Sequence, residues 1–332
     1  MKNLCILLFI LLSLCASSAI AAQLPIMRIS VENTKTHVQT QAVKRFSDDL
    51  RNRLKGRINV QFYFNSSLFR DADIIQALGQ GKVEMAVPGT WNVTKFEPNV
   101  GVFLLPIFYG RSADSSHMIL ESRAGKAING LIEKNLHLKV VGKWIDLGHA
   151  HLFSLTKKIL RPEDIEGLTI RVAGGLGNKL RIRELGGNPV VIAWPDLPGY
   201  MIQGRVDAVL TSYETVRSAR LWEKGIKYAF EDREYFPLYI PLIRMSFWEK
   251  LPPDIRTIVT DTWDKHVDTS RKQALEAQIT AKKVTIENGL TVVVPGEEQI
   301  TIWRNRMLKK QDEFVRRMNI DPKIVDLIMD LL

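Results

Sequence analysis

Residues 161–175 read RPEDIEGLTIRVAGG, and residues 184–213 read ELGGNPVVIAWPDLPGYMIQGRVDAVLTSY. In the first stretch, side chains alternate along a short strand, so that Thr169 and Arg171 share one face and aliphatic side chains take the other. A pair of glycines ends this strand and opens a helix. Arg171 therefore lies at a strand end beside a glycine turn, where open α/β sheets bind their ligands. Its fork-shaped, permanently charged guanidinium predicts a carboxylate as the ligand.

The amino-terminal segment MKNLCILLFILLSLCASSAIAA has the pattern of a secretory signal peptide. Lys2 precedes a short apolar run, and Ala19 and Ala21 satisfy the small-x-small rule for cleavage. We therefore predict a signal peptide over residues 1–21 and a mature protein in the periplasm. A membrane anchor is disfavoured, because the run is short for a span of about 20 residues and no second run follows.

Composition narrows the classes of function further. Cys5 and Cys15 both lie in the leader, so we expect neither disulfides nor thiolate metal sites in the mature chain. The formal net charge of +10 comes from scattered basic residues. This charge indicates either an ordinary solvated surface or a long-range field that favours anionic ligands. A nucleic-acid site would need a basic groove with aromatic side chains, which the sequence does not contain.

Hydrophobic periodicity predicts two α/β blocks. The first has the order β-α-β-α-β, which indicates a parallel sheet with helices on both faces, and the second begins near Gly148. A helical period continues from Asp254 to about Asn288, a length of about 50 Å that would brace two domains. The other predicted strands are 25–31, 58–64, 83–87, 138–144, 189–193, 207–210, 235–246 and 291–295, and the predicted helices include 71–79, 116–135 and 197–204.

Four motifs, in this order, resemble the periplasmic solute-binding subunits of tripartite ATP-independent periplasmic (TRAP) transporters, the DctP family. They are FNSSLFRDADIIQALGQGKVEMAV (64–87), LPIFY (105–109), PEDIEGLTIRV (162–172) and LGGNPVVIAWPDLPGYMIQGRVDAV (185–209). The resemblance covers nearly the whole mature chain.

This resemblance implies an α/β, two-domain type II periplasmic-binding-protein fold with a hinge and a long bridging helix. It implies that a small organic acid binds in the interdomain cleft, that the hinge closes over it, and that the small and large TRAP membrane subunits receive it. The expected domains are 22–147 plus about 237–276, and 148–236 plus about 277–332. The arginine with which the family grips a carboxylate aligns with Arg171 without a gap.

Two positions depart from the family pattern. Ala150 stands where many members carry a second arginine, and Thr211 replaces an amide that commonly helps to fix the carboxylate. These two departures are compatible with a site that binds one carboxylate through Arg171. Other polar side chains than those of the family pattern would then form the polar wall of the site. The candidates for that wall are His149, His151, Thr211, Ser212 and Tyr213.

His149 and His151 are two residues apart and therefore face the same way on an extended strand. Such a pair fits ligand hydrogen bonding, metal ligation or a satisfied polar pair at a domain edge. A metal would need further ligands, and the sequence identifies none. We predict contact with the ligand, and neither a metal nor a cofactor.

Further candidates follow other predicted strands. Trp91, Trp144 and Trp194 would stack on a ring or a sugar face, or else fill the core. Asn33 follows the first strand, where its loop would meet the cleft. Arg70 follows the second strand and would supply a second positive contact that partly replaces the arginine missing at Ala150.

Motifs of enzymes are incomplete or absent. Residues 174–180 resemble a dinucleotide-binding loop, but Leu180 stands where glycine or alanine is needed. The sequence contains neither HExxH nor GxSxG. We predict a binding protein without catalytic residues, and two alternatives remain: a receptor subunit that docks on a membrane signalling protein, and a periplasmic enzyme acting on a small acid.

The identity of the acid is open at this level. Sugar acids, aromatic acids, short hydroxy or keto acids and sulfonates would all satisfy Arg171. The tryptophans and histidines favour a ring-bearing or hydroxylated monocarboxylate over a plain dicarboxylate.

Overall fold

The computed structural model describes residues 24–332. The predicted signal peptide over residues 1–21 lies outside the described residues, as do both cysteines. Two main sheets contain five and six strands, and helices cover them, in agreement with the predicted α/β class. Between residues 24 and 332, every helix is too short or too polar to cross a membrane.

The secondary structure follows the hydrophobic pattern closely. The strands, numbered in chain order, are β1 (Ile26–Ser30), β2 (Asn59–Tyr63), β3 (Met85–Ala86), β4 (Leu138–Val140), β5 (Ile145–Asp146), β6 (Ala150–Ser154), β7 (Thr169–Val172), β8 (Asn188–Val191), β9 (Ala208–Thr211), β10 (Tyr228–Tyr235), β11 (Leu238–Tyr239), β12 (Leu242–Arg244) and β13 (Thr291–Val293). The α-helices are α1 (Val38–Arg53), α2 (Ile74–Gly79), α3 (Thr90–Val93), α4 (Ala113–Glu121), α5 (Arg123–Leu136), α6 (Leu176–Glu184), α7 (Leu197–Ile202), α8 (Tyr213–Ser218), α9 (Met245–Trp248), α10 (Pro253–Glu287), α11 (Glu297–Leu308), α12 (Gln311–Met318) and α13 (Pro322–Met329).

The first sheet has the strand order β2-β1-β3-β12-β4. β1 pairs in parallel with β2 and β3, as the β-α-β-α-β pattern predicts. β12 pairs antiparallel with β3 and β4, and the chain reaches it only after it has formed β6–β10 of the second sheet. We call this sheet and the helices packed on it the first lobe.

The second sheet has the strand order β13-β10-β6-β9-β7-β8 and forms the centre of the second lobe. β7, which carries Arg171, pairs in parallel with β8 and β9, whereas β6 is antiparallel to β9 and β10. β10 is missing from the sequence-based prediction. Its residues 231–234 read EDRE, and this charged run obscures the strand pattern.

Two predicted boundaries are wrong for identifiable reasons. The predicted helix 116–135 consists of α4 and α5, because Ser122 interrupts it and its Oγ accepts the N–H of Ala124 at 3.0 Å as an N-cap. The predicted strand 138–144 ends at Val140, and close packing follows, since a Cβ on Gly142 would lie 2.8 Å from Trp263 Cδ1.

The long helix predicted from Asp254 is confirmed as α10, which bridges the two lobes. Its first half packs on α1, where Phe46 and Trp263 meet edge to face at 5.1 Å. Its second half packs on α8, and Gln278 Oε1 accepts the N–H of Glu214 at 3.1 Å. One continuous helix therefore contacts both lobes.

The carboxyl-terminal helices also contact both lobes. α13 packs on α5 of the first lobe, and α12 packs on α6 of the second. Between the lobes, β5 and β11 form a separate two-stranded antiparallel sheet at the chain crossings. The domain boundaries given above remain a prediction.

The carboxyl ends of four strands meet between the lobes. β1 and β3 deliver Glu32, Asn33 and Trp91 from the first lobe, and β7 and β9 deliver Arg171 and Ser212 from the second. Parallel strands of open α/β sheets commonly build their sites at this edge.

Candidate functional site

A polar cavity of about 40 Å³ lies between the two lobes. One ordered water requires roughly 10–15 Å³, so the cavity accommodates only a few atoms. Both lobes contribute to its lining. The lining residues are Glu32, Asn33, Asp71, Trp91, Leu147, Arg171, Ala173, Trp194, Leu210, Thr211, Ser212, Thr215, Tyr235, Pro237 and Tyr239.

Direct contacts across the cleft identify this as a closed arrangement. Both carboxylate oxygens of Asp71 accept the backbone N–H of Trp194, at 3.2 and 3.1 Å. At the other end of the cleft, the N–H of Val38 donates to Glu214 Oε1 at 3.1 Å. The lobes also approach closely at Gly175, where φ is 79° and a Cβ would lie 2.7 Å from Leu104 Cδ1.

Arg171 is the only cationic side chain in this lining, and it is 3% exposed. Its Nε donates to the carbonyl oxygen of Ile192 at 3.0 Å, which fixes the direction of the guanidinium. Among residues 24–332, no carboxylate forms an ion pair with it, and its two terminal nitrogens have no hydrogen-bond acceptor. These nitrogens are therefore the donors that remain available in the cavity.

Two acidic side chains, Glu32 and Asp71, line the cavity with Arg171. Burial raises the pKa of Asp71, although the N–H of Trp194 and the charge of Arg171 act in the opposite direction. The pKa of Glu32 is raised to about 8, mainly by burial and then by the charge of Asp71. The site thus combines one buried cation with two carboxyl groups that burial disfavours as anions.

A hydrogen-bonded chain on the first lobe orients Glu32. Its Oε1 accepts the Tyr239 hydroxyl at 3.3 Å, and its Oε2 accepts Asn92 Nδ2 at 3.2 Å. Asn33 Nδ2 donates to the Tyr239 oxygen at 3.2 Å. Trp91 meets the Tyr239 ring edge to face at 5.2 Å. Its Nε1 is buried and has no acceptor within residues 24–332, so it is a further free donor.

Hydroxyl groups from the end of β9 complete the second-lobe wall. Ser212 Oγ accepts the N–H of Thr215 at 3.2 Å and lies 3.1 Å from Thr215 Oγ1. Thr211 also lines the cavity. His37 Nε2 reaches Thr215 Oγ1 at 3.2 Å from the first lobe, so this wall takes part in closure.

Six of the predicted site residues line the cavity and five do not. Arg171, Asn33, Trp91, Trp194, Thr211 and Ser212 come together there. Arg70, Trp144, His149, His151 and Tyr213 lie outside the lining.

Each of those five has another environment. Arg70 is half exposed and forms an ion pair with Asp196 across the cleft entrance. Trp144 is buried in the first lobe, where its Nε1 donates to Asn129 Oδ1 at 3.0 Å. The Tyr213 hydroxyl donates to Glu231 Oε1 at 2.7 Å. For these side chains, contact with a ligand stays a prediction from sequence.

The histidine pair lies outside the cavity lining, with His151 buried and His149 half-buried. His149 Nε2 bonds to the carbonyl oxygen of Arg111 at 2.7 Å, and the two imidazoles stack with their centroids 6.4 Å apart. Burial lowers the pKa of both, that of His151 most strongly. Within the described residues, no three His, Cys, Asp or Glu side chains converge in a way that would hold a metal ion.

Sequence reasoning missed five polar residues of the lining: Glu32, Asp71, Thr215, Tyr235 and Tyr239. Glu32 had an available signal, because it directly precedes Asn33 at the end of β1. Tyr239 had none, since it reaches the site only through the crossing of the chain between the lobes at β11.

The chain matches known proteins over most of its length. Residues 29–317 match the family DctP, described as bacterial extracellular solute-binding protein, family 7. The 2,3-diketo-L-gulonate-binding periplasmic protein YiaO of Escherichia coli is 23% identical over 263 residues, which cover 79% of this chain and 78% of YiaO. The C4-dicarboxylate-binding periplasmic protein DctP of Rhodobacter capsulatus is 24% identical over 272 residues, covering 80% and 79% of the two chains.

Solved structures share the fold at low sequence identity. The sugar acid binding protein DctPAm of Advenella mimigardefordensis, in complex with galactonate, has a TM-score of 0.85 at 18% identity and covers 93% of this chain and 98% of its own. A TRAP periplasmic solute binding protein of Sulfurospirillum deleyianum with bound succinate has a TM-score of 0.82 at 21% identity, covering 92% and 97%. These similarities establish the two-domain periplasmic-binding-protein fold for this chain.

Proposed function

The chain belongs to the DctP family of bacterial extracellular solute-binding proteins, and from this premise we propose that it captures a small organic acid for a TRAP-type transporter. The acid binds between the lobes with its carboxylate on Arg171, and an acid larger than a few atoms requires the lobes to close less far than in this arrangement, where the cavity is about 40 Å³. After cleavage of the signal peptide at 1–21, the protein works in the periplasm and delivers the acid to the small and large membrane subunits.

One observation carries this proposal: Arg171 is buried at the cavity with its terminal nitrogens unpaired. A buried charge without a partner is costly. A carboxylate held by two parallel N–H···O bonds removes that cost and contributes on the order of 1.5–3 kcal/mol. The neighbouring donors, Trp91 Nε1 and Ser212 Oγ, suit the remaining polar groups of an acid.

The two lobes have different parts in capture. The second lobe presents Arg171 and Ser212, and the first lobe brings Trp91 and Asn33 over the ligand on closure. A ligand shifts the open–closed equilibrium only by its higher affinity for the closed form. The contact between Asp71 and Trp194 N–H forms only when the lobes meet, so it adds to the stability of the closed form.

The test is a thermal-shift screen with carboxylates and sulfonates, including D-galactonate, D-glucuronate, succinate, L-malate and orotate. At least one acid is expected to raise Tm in the wild type. Arg171→Ala should abolish that shift, because loss of one partner of a buried charge pair costs roughly 2–5 kcal/mol. Arg316→Ala is the matched control, since Arg316 is exposed and lies outside the cavity.

Three results would contradict the proposal. An unchanged shift in Arg171→Ala would remove the arginine from the site, and a screen without any stabilising acid would remove the ligand class. Chemical conversion of the acid during incubation with the protein would identify an enzyme.

A further inference from the structure

The cavity lining contains fewer cationic groups than acidic groups, and an anionic ligand would increase this difference. Arg171 supplies one positive charge, and Glu32 and Asp71 supply two carboxyl groups. Addition of a ligand carboxylate places three acidic groups around one cation. Each uncompensated charge in a water-poor cavity costs several kcal/mol, so at least one of the three groups is expected to be neutral.

Asp71 is the acid whose surroundings oppose the effect of burial more strongly. Burial raises its pKa, but its two oxygens accept the backbone N–H of Trp194 across the cleft, and the charge of Arg171 also favours its ionised form. Asp71 compensates only part of the charge of Arg171, because the two form no direct ion pair and the terminal nitrogens of Arg171 stay available to a ligand. The carboxylate of a ligand is then a second negative charge near the one cation.

Glu32 is the acid that the geometry leaves without a counter-charge. It is buried, and within residues 24–332 its carboxylate accepts hydrogen bonds only from the neutral groups of Tyr239 and Asn92. The titratable or charged groups that face it are Asp71 before α2, Arg171 on β7, Tyr235 at the end of β10 and Tyr239 on β11. The segments packed around Glu32 thus contribute one acid, one cation and two phenols.

We propose that the cleft binds a singly charged organic acid together with one proton, which Glu32 takes up when the lobes close. The proton passes from water or a buffer acid to a carboxylate oxygen of Glu32, and no bond of the ligand is made or broken. This inference rests on the proposed function, because it requires an anion held by Arg171. A second carboxylate on the ligand would bring a charge for which the lining has no second cation, so hydroxylated monocarboxylates are favoured over dicarboxylates.

The titration of Glu32 supports this assignment. In an open cleft, a hydrated glutamate has a pKa of about 4.3, whereas in the closed lobes the pKa of Glu32 is about 8. Because the closed form raises the pKa, closure is favoured at low pH and is opposed as the pH rises. Between these two values, binding takes up one proton, so each unit rise in pH weakens ligand binding by about tenfold.

Isothermal titration calorimetry of the mature protein tests this proposal with D-galactonate, D-glucuronate and succinate as probes. Each titration is performed between pH 6 and 7.5, in phosphate and in Tris, because the difference in apparent enthalpy reports the protons taken up. We expect uptake of about one proton with a monocarboxylate and a Kd that rises by about tenfold per pH unit. Succinate is expected to bind at least tenfold more weakly than the better monocarboxylate.

Glu32→Gln isolates the acceptor of the proton, and Glu276→Gln on the exposed face of α10 is the matched control. The amide mimics the protonated carboxyl, so the Glu32 variant should bind near pH 6 as the wild type does. Its proton uptake should vanish, and its Kd should change by less than about threefold over the range. Unfolding of this variant would not prevent the test, because the pH dependence of the wild type is measured independently.

The outcomes separate the two claims. A probe that binds through Arg171 without proton uptake, or with uptake that persists in Glu32→Gln, overturns this inference and leaves the proposed function intact. Tighter binding of succinate than of both monocarboxylates overturns it as well. Failure of every probe to bind at any pH contradicts the proposed function, and this inference falls with it.

Discussion

Arg171 and Arg181 are both buried in the second lobe, and each lies near two acidic side chains, but only Arg181 is paired. Its Nη2 lies 2.6 Å from Glu234 Oε2, and its Nη1 donates to the Glu234 carbonyl oxygen at 3.0 Å. The Tyr109 ring stacks on this guanidinium at 4.9 Å. Arg171 has neither an ion pair nor a stacked ring within the described residues.

The difference lies in which lobe carries the acids. Glu234 and Asp232 stand on β10, in the same lobe as Arg181, so their contacts persist whether the cleft is open or closed. The acids near Arg171 come from the first lobe and bond to other groups. A buried arginine thus has a structural role where an acid of its own lobe forms an ion pair with it. It is available to a ligand where its own lobe supplies no such acid.

Loss of the Arg181 side chain should have the largest effect on stability. Arg181→Ala leaves Glu234 buried without a counter-charge, which typically costs about 3–5 kcal/mol. Urea unfolding would measure this loss, with Arg316→Ala as the control. A loss below about 1 kcal/mol, as for an exposed ion pair, would remove the structural role assigned to Arg181.

Asp71→Asn should act on closure rather than on unfolding. The variant weakens a charge-assisted contact to Trp194 N–H that contributes about 1.5–3 kcal/mol to the closed form. With this contact weakened, the cleft opens and water reaches Arg171, while the second lobe stays folded. Small-angle scattering of the ligand-free protein should show a larger radius of gyration than in the wild type or in Asp312→Asn. An unchanged radius with a lower stability would assign Asp71 to the core.

The buried carboxyl group of Asp232 predicts that the free energy of unfolding depends on pH. This contribution arises in the cluster around Arg181 and not in the cavity around Arg171. Burial and the neighbouring Glu234 raise the pKa of Asp232 well above its usual range. An acid whose folded-state pKa is raised favours folding at low pH, and this contribution is lost as the pH rises through the folded-state value. The loss amounts to about 1.4 kcal/mol for each pH unit over which only the folded state keeps the proton.

Asp232→Asn should therefore stabilise the protein at pH 8 relative to pH 5, when each is compared with the wild type by urea unfolding. Asp312→Asn, on an exposed helical face, controls for the change of net charge. Equal effects of Asp232→Asn at both pH values would mean that Asp232 is ionised in the folded protein.

Arg70→Ala should have the smallest effect. Its ion pair with Asp196 is exposed on both sides, and such pairs contribute about 0–1 kcal/mol. Ligand affinity should fall by less than about fivefold, the equivalent of that free energy. A loss above tenfold in calorimetry would support the second ligand contact that the sequence predicts for Arg70.

The parts of the site that could be predicted from sequence are those encoded locally. Arg171 was identifiable because a strand, a guanidinium and a glycine turn follow one another within a few residues. α10 was identifiable because its period continues without interruption. The family resemblance then supplied the two-domain fold.

The remaining parts depend on how distant segments meet. Tyr239 and Tyr235 reach the cavity only because the chain crosses between the lobes near β11, and alternation along a strand does not encode that crossing. His149 and Trp144 have side chains that often bind ligands and lie near strand ends. In the fold, however, the ring nitrogens of both form hydrogen bonds with protein groups outside the cavity lining. Asp71 accepts a hydrogen bond from a backbone N–H. Every non-proline residue has such a group, so the sequence cannot indicate which residue is the donor.

A crystal structure of the protein grown with the strongest acid of the screen tests the central claim most directly. The account predicts the ligand carboxylate on the two terminal nitrogens of Arg171, at about 2.7–2.9 Å, with Arg181 still paired to Glu234. A carboxylate bound elsewhere, with Arg171 unpaired or turned toward Asp71, would contradict it.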